Sequence, residues 1–263
     1  MPKTNNNIDS KPKKTSKFKR FLIIIFWIIV CIIILILGRF LSYLLTGSNF
    51  KFSVNTIKTS ELEFYVLSFG EFDNIDDAKS CAIWLENSGG AGYIYKSEKY
   101  MVVGRTYFSM DDAKKVKENM GTTRYDSEIK TIRVKPKKVV VKDLNKSDKK
   151  EIIANLHSIE NIIKKVDEVD RSIDRNGDTN VSASGEINSL KTTAKEIRNN
   201  INRINVVYAN QSLNKIISFC NSLEDSLDLA VNKLLVSKNE LSVCKYLLSE
   251  IQLNYANLLK DLS

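Results

Sequence analysis

The stretch GEFDNIDDAK at residues 70–79 and the stretch GRTYFSMDDAK at residues 104–114 share a glycine, an aromatic residue and an Asp-Asp-Ala-Lys sequence. Each glycine follows an apolar run typical of a strand, and each Asp-Asp pair begins a run in which apolar residues have helical spacing. Internal duplication of this kind is the mark of a repeated structural unit. The two copies therefore predict two β-α halves of one small domain.

The elements around the two motifs are predicted in the order β-α-β-β-α-β. Asn74 and Ser109 are suitable N-cap residues, and each is followed three residues later by an aspartate that favours the positive end of the helix dipole. Gly89 and Gly90 end the first helix. The predicted strands are 62–69, 91–96, 99–104 and 127–134. This order predicts an α+β domain at 61–140, with one antiparallel sheet and both helices on one of its faces.

A long apolar segment precedes this domain. Residues 21–37 are entirely apolar, and residues 40–45 extend the run past Gly38 and Arg39. Because roughly 20 apolar residues span a bilayer core, a single transmembrane helix is predicted at 21–45. A cleaved signal peptide is the alternative, and it is disfavoured because such a peptide has an apolar core of only ~7–15 residues.

The charge distribution predicts the orientation of this segment. The net charge of the chain is +9, and the first 20 residues hold seven basic residues against one aspartate. A basic flank before the first span is retained in the cytoplasm, so the residues after the span are predicted to face outside the cell. The rest of the chain is close to neutral, which argues against a nucleic-acid partner. We expect a single-pass cell-membrane protein with a cytoplasmic tail at 1–20 and a juxtamembrane linker at 46–60.

The four cysteines do not indicate a disulfide framework. Cys31 lies in the predicted span and Cys81 in the first small-domain helix. Cys220 and Cys244 would lie about 36 Å apart on one straight helix, which is beyond disulfide reach. We expect all four to serve as small buried apolar residues.

The remainder of the chain is predicted to be an all-α region at 148–263, because apolar residues recur three and four positions apart. The first of these seams contains one exception, Asp170. A later seam is interrupted at Ser237, where the capping-box sequence SKNE begins, so the region holds either three helices or four. Such seams favour a self-contained antiparallel bundle, and the alternative is a module that self-associates or docks protein partners.

Side chains of the predicted sheet alternate between its two faces. We place four apolar residues under the two helices: Leu67, Phe69, Met101 and Val103. The opposite face of the central strands then carries Phe64, Val66, Ser68, Tyr100 and Val102. A bare apolar sheet face is unusual in a monomer and indicates a contact surface, unless the helical region or a tail covers it.

The duplicated region resembles a SPOR domain, the small sporulation-related repeat domain of bacterial envelope proteins. The matching residues are VLSFGEF at 66–72 with DDA at 76–78, and YMVVG at 100–104 with DDA at 111–113. The resemblance covers residues 61–134. It implies binding of peptidoglycan glycan strands that lack stem peptides, through the open sheet face, at septa formed in cell division or sporulation.

The resemblance also implies a set of glycan-contacting residues: Phe64, Val66, Ser68, Tyr95, Tyr100, Val102 and Arg105. Aromatic rings such as Phe64 and Tyr100 offer flat apolar area to the C–H faces of sugars. The polar members of the set can form hydrogen bonds with sugar oxygens. The sequence departs from the family at Ser68, where a Gln is common, and at Arg105, where a Pro is frequent.

Enzyme chemistry is not predicted. His157 is the single histidine of the chain, which excludes a zinc amidase site built from several histidines. Neither a glycine-rich phosphate loop nor a Ser-x-x-Lys motif in an acyl-transfer context occurs. The loop DRNGD at 174–178 lacks the glycine and glutamate positions of a calcium loop. No metal and no other cofactor are therefore expected.

These patterns together predict a membrane-anchored, non-enzymatic protein that binds septal peptidoglycan and docks division or sporulation proteins through its helical region. One competing hypothesis is an extracytoplasmic scaffold whose small domain does not bind glycan and whose helices carry the function. A third hypothesis, an envelope hydrolase, would require a facing pair of carboxylates. The two Asp-Asp pairs at 76–77 and 111–112 are helix-start residues by position and do not predict such a pair.

Overall fold

The computed structural model describes residues 54–121, 123–176, 180–236 and 240–262, together with Trp27, Val30 and Ile34. From residue 54 onward these residues form two antiparallel sheets and six helices, a mostly helical α+β arrangement in one compact unit. The strands are β1 (Val54–Lys58), β2 (Leu62–Phe72), β3 (Tyr93–Lys96), β4 (Tyr100–Tyr107), β5 (Glu128–Val134) and β6 (Lys138–Lys142). The helices are α1 (Ile75–Asn87), α2 (Met110–Asn119), α3 (Lys146–Asn176), α4 (Asn180–Tyr208), α5 (Gln211–Val236) and α6 (Glu240–Asp261).

The duplicated region has the predicted β-α-β-β-α-β order, from β2 to β5. Its strands form one antiparallel sheet in the spatial order β3-β4-β2-β5, with α1 and α2 on the same face. The side chain of Asn74 accepts a hydrogen bond from the Asp76 amide at 2.8 Å, and that of Ser109 accepts one from the Asp112 amide at 3.3 Å. The predicted order and both predicted helix caps are confirmed.

Strands β1 and β6 pair as a separate two-stranded ribbon. In the chain, β1 precedes the four-stranded sheet and β6 follows it. Lys58 lies opposite Lys138, and Val54 lies opposite Lys142. In β6, Val139 and Val141 are buried while Val140 is exposed, which is the alternation expected of a half-covered strand. β1 falls within the segment predicted as a linker, and its partner strand lies far along the chain.

The helical region forms a bundle of four helices, α3 to α6, in which each helix packs against the next and α6 packs back against α3. Of the two predicted alternatives for this region, three helices or four, the structure has four. The predicted seams are buried: Ile187, Ala194, Ile197, Ile201 and Ile204 in α4, and Leu213, Ile216, Cys220, Leu223, Leu227, Ala230 and Leu234 in α5. The capping box predicted at Ser237 lies outside the described residues.

The bundle covers the sheet face opposite α1 and α2. Phe64, Val66, Met101 and Val103 share one continuous apolar cluster with the helices of the bundle. Phe64 and Val66 have no exposed area. The expectation of a bare sheet face is wrong, and the alternative that the helical region covers this face is what the structure shows. Burial of a large apolar side chain stabilises the folded state by roughly 1.5–3 kcal/mol, which favours this arrangement.

The face assignment within β4 also differs from the prediction. Leu67 and Phe69 pack under α1 and α2 as predicted, but Met101 and Val103 lie on the bundle side. The pairing of β2 with β4 shifts by one residue: Leu67 lies opposite Arg105, but the next residue, Ser68, lies opposite Val103. The residue between Val103 and Arg105 therefore has no partner on β2. An unpaired residue reverses the alternation of side chains beyond it. Val102 and Tyr100 consequently pack on the α1 side.

The unpaired residue is Gly104, the glycine of the second motif. A Cβ atom at this position would lie 2.4 Å from Cε2 of Phe69, so the aromatic ring packs directly over the glycine backbone. The ring of Phe69 in turn contacts the ring of Trp84, with centroids 6.0 Å apart. The glycine therefore permits the close approach of an aromatic side chain where the sheet changes its pairing.

The predicted transmembrane helix at 21–45 lies outside the described residues except at Trp27, Val30 and Ile34. Within the described part of the chain, no helix combines the length and apolar character needed to cross a bilayer. The predicted cytoplasmic tail also lies outside the described residues.

The described cysteines match the prediction. Cys81, Cys220 and Cys244 are buried and carry free thiols. Burial raises the pKa of Cys81 to about 11 and that of Cys220 to about 12, so both remain protonated at neutral pH. Cys31 lies outside the described residues.

Replacement of Gly92 by Ala is expected to destabilise the fold. Gly92 has φ +62°, and a Cβ atom there would lie 2.6 Å from the carbonyl oxygen of Ala82. Gly121→Ala is the matched control, because Gly121 has φ +63° and nothing within 4 Å of an added Cβ. We expect the control to lose about 1 kcal/mol from backbone strain and Gly92→Ala to lose clearly more. Urea unfolding measures both losses, and equal values would contradict the steric argument.

Candidate functional site at the covered sheet face

Three of the seven predicted glycan-contact residues lie beneath the bundle. Phe64, Val66 and Ser68 are at most 1% exposed. The hydroxyl of Ser68 donates a hydrogen bond to the carbonyl oxygen of Glu128 on the neighbouring strand, at 3.3 Å. In this arrangement the three side chains are inaccessible to a sugar polymer.

Tyr95 lies on the same covered face and contacts the bundle directly. Its hydroxyl donates a hydrogen bond to Oδ1 of Asn257 on α6, at 2.8 Å. Two residues earlier, the ring of Tyr93 meets the ring of Tyr246 edge-on, with centroids 5.2 Å apart. Burial raises the pKa of Tyr93 well above its ordinary value. Both tyrosines of β3 therefore serve as contacts between the sheet and α6.

Tyr100 and Val102 lie on the other side of the sheet, toward α1. Val102 has no exposed area, and Tyr100 is half-buried beneath the ammonium group of Lys96, which lies 3.6 Å from its ring centroid. The predicted set is therefore divided between the two faces by the pairing shift at Gly104. It does not form one continuous surface.

Arg105 is the centre of a buried ion cluster that joins β4 to α3. Its Nη1 donates a hydrogen bond to Oδ2 of Asp174 at 2.8 Å. Its Nη2 lies 2.8 Å from Oδ2 of Asp170 and 3.4 Å from Oδ1 of Asp167. The three aspartates are spaced i, i+3 and i+7, so they share the helix face that packs toward the sheet. Arg105 is 7% exposed and Asp170 is fully buried.

Two further cations extend the cluster to the other elements. The Nε of Arg171 donates to Oδ2 of Asp167 at 2.8 Å, and its Nη1 donates to Oδ2 of Asp112 on α2 at 3.2 Å. On α6, Lys245 donates to the carbonyl oxygen of Gly89, which follows α1, at 3.0 Å. The ion cluster thus connects both small-domain helices with two helices of the bundle.

Asp170 is the most perturbed group of the cluster. Burial raises the pKa of its carboxyl group to about 7, against the opposing attraction of Arg105 and Lys245. Nη2 of Arg105 is close to this carboxylate, but the contact lacks the angles of a hydrogen bond, and both carboxylate oxygens of Asp170 are without one in the described structure. The carboxylate is therefore held by charge alone and is incompletely stabilised.

The ion cluster was not predicted, although one feature of the sequence pointed to it. Asp170 interrupts an otherwise apolar seam, and an aspartate at a buried seam position needs a cationic partner. The family resemblance predicts a sugar ligand for Arg105, whereas its partners in the structure are aspartates of α3. The pairing of these residues depends on contacts between elements more than 60 residues apart.

Comparison with family models, with curated proteins and with solved structures finds no match to this chain. The resemblance to SPOR domains consequently rests on the duplicated motif and the element order. Among the described residues, no group of three or more His, Cys, Asp or Glu side chains is arranged to hold a metal ion. His157 is exposed, with its Nδ1 3.3 Å from a carboxylate oxygen of Glu160.

Phe64→Ala distinguishes a covered sheet face from a bare one. We expect a loss of about 3–5 kcal/mol in the free energy of unfolding, because a buried aromatic ring is removed from a packed cluster. Ile83→Ala on the exposed side of α1 is the matched control, with an expected change within about 0.5 kcal/mol. Urea denaturation measures both variants, and a small effect of Phe64→Ala would show that the bundle does not cover the sheet.

Asp170 predicts a pH dependence of stability opposite to that of a typical ion-paired aspartate. Because its pKa is about 7 in the folded state and 3.8 ordinarily, the folded state retains a proton that the unfolded chain has released. This group therefore lowers the free energy of unfolding by about 1.4 kcal/mol per pH unit as pH rises from about 4 to about 7. We expect Asp170→Asn to lack this decline when both proteins are unfolded in urea between pH 4.5 and 8. Parallel profiles for the two proteins would contradict the assignment.

Proposed function

We propose that the chain is a membrane-anchored, non-enzymatic scaffold whose sheet and helical bundle act as one folded unit outside the cell membrane. The observation that supports this proposal best is the covered sheet face, with Phe64 and Val66 fully buried against the bundle. An independent glycan-binding module of the SPOR type would need this face free. The anchor and the orientation rest on the apolar segment at 21–45 and its basic flank.

Three kinds of contact oppose separation of the sheet from the bundle. Each large apolar side chain exposed by separation costs roughly 1.5–3 kcal/mol. The bond from Tyr95 to Asn257 would be lost, and Arg105 would leave its three carboxylates. Because separation would rehydrate the freed charges, the loss of these ion pairs costs less than the loss of the apolar contacts. A ligand that opened this interface would have to compensate for all of these losses in free energy.

Septal glycan binding, which the resemblance implies, is the competing proposal. A glycan strand that used the predicted residues would have to displace α6 from the sheet. Glycan binding and docking of the bundle would then exclude each other. The scaffold hypothesis has no such requirement, because its contacts with division or sporulation proteins use surfaces outside the covered face.

A sedimentation assay on purified peptidoglycan without stem peptides tests the two proposals. The full-length chain in detergent is expected to remain in the supernatant at every peptidoglycan concentration. Saturable retention that Phe64→Ala weakens, and that the control Ile83→Ala leaves unchanged, would overturn the scaffold proposal in favour of glycan binding. Release of soluble sugar fragments from the same mixture would indicate a hydrolase and would contradict both.

A further inference from the structure

A cleft lies between α1 and α2 on the sheet face that these helices share. Its volume is about 330 Å³. Phe69 and Tyr107 on the sheet line it together with Trp84 on α1 and Met120 at the end of α2. A volume of this size falls in the range of ligand sites, about 300–1,000 Å³, and greatly exceeds the voids left by ordinary packing.

One end of the cleft is cationic. Arg105 and Lys245 line it, and Lys245 lies 3.6 Å from Asp174. Arg105 is only 7% exposed, and both of its terminal nitrogens contact carboxylates. Its Nε has no hydrogen-bond partner among the described residues. This nitrogen is itself enclosed, so the cleft offers a ligand the positive charge of Arg105 and Lys245 rather than a free donor.

A second cavity of about 200 Å³ adjoins the first. Arg105, Tyr107 and Val116 line both cavities and therefore mark their junction. The second cavity is also lined by Lys115 and Arg175, which are exposed and lie within 4 Å of no carboxylate in the described part of the chain. The cleft thus passes from an apolar compartment to a cationic one, with Arg105 between them.

Among the described residues, the charges around the two cavities do not balance. Five cationic side chains line them: Arg105, Lys115, Arg171, Arg175 and Lys245. Four carboxylates line the cavities or pair with these cations: Asp112, Asp167, Asp170 and Asp174. The surplus positive charge lies on Lys115 and Arg175, so one negative charge supplied by a ligand beside them would balance the group and would favour an anion over a neutral molecule.

We infer that this cleft binds an aromatic carboxylate, with the ring against the apolar wall that Phe69, Trp84 and Tyr107 form and the carboxylate directed past Arg105 toward Lys115 and Arg175 in the second cavity. Planar side chains on the walls suit a flat apolar ring, and the guanidinium group suits a carboxylate. The same chemistry occurs in a free aromatic acid and in an aromatic residue at the carboxyl end of a peptide. This inference is independent of the proposed scaffold function.

The test uses the two tryptophans of the chain, Trp27 and Trp84. The full-length protein, labelled with ¹⁵N at the indole nitrogens and placed in lipid nanodiscs, is titrated with N-acetyltryptophan. We expect a saturable change in the Trp84 signal. Because Trp27 does not line the cleft, its signal reports only partition of the probe into lipid. N-acetyltryptophanamide, which lacks the carboxylate, is expected to bind about tenfold more weakly.

Two pairs of variants locate the binding. Val116→Phe fills the junction of the two cavities and is expected to abolish the saturable change, whereas Ile83→Phe on the exposed side of α1 preserves it. Lys115→Gln removes a cation from the second cavity without altering the core and is expected to weaken binding severalfold. Lys117→Gln on the same helix lies outside both cavities and serves as its control.

A tripeptide ending in a free tryptophan carboxylate separates the two sources of the ligand chemistry. Binding as tight as that of N-acetyltryptophan assigns the site to a peptide end, and binding only of the small acid assigns it to a free molecule. The inference is overturned if Trp84 shows no saturable change with any probe. It is equally overturned if the amide binds as well as the acid, or if Val116→Phe leaves binding unchanged.

Discussion

The structure depends on the burial of one apolar sheet face against a helical bundle. The central strands β2 and β4 carry buried apolar side chains on both faces of the sheet, and α1 and α2 cover only one of these faces. α6 supplies the second cover, and the resulting layers are helix, sheet and helix. A sheet covered on both faces behaves as a core element, because its side chains are fixed by packing from two directions.

Charge complementarity favours one position of the bundle on the sheet. Apolar contacts alone allow helices to slide, whereas Arg105 accepts only the position in which Asp167, Asp170 and Asp174 surround it. Buried ionic groups often contribute more to the choice of one arrangement than to stability. The incomplete stabilisation of Asp170 is consistent with such a role, since this carboxylate costs energy at neutral pH yet belongs to the interface.

Local patterns in the sequence predicted the elements well. The helix caps at Asn74 and Ser109, the buried stripe of α1 and the apolar seams of the bundle follow from residue spacing within each segment, although that spacing left three helices or four open. The cover on the sheet face could not be predicted, because apolar alternation shows that a face is buried but not what buries it. The division of the site residues between two faces was missed for a different reason. A single unpaired residue, Gly104, reverses the alternation, and only the pairing of β2 with β4 reveals it.

The ribbon of β1 and β6 gives the chain an unusual connectivity. The amide of Thr59 donates to the carbonyl oxygen of Lys137 at 3.0 Å, and the amide of Lys137 donates to the Thr59 hydroxyl oxygen at 2.9 Å, so the polypeptide enters and leaves the small domain through one narrow neck. The whole duplicated unit therefore lies between the two strands of the ribbon, and these two hydrogen bonds close it at its base.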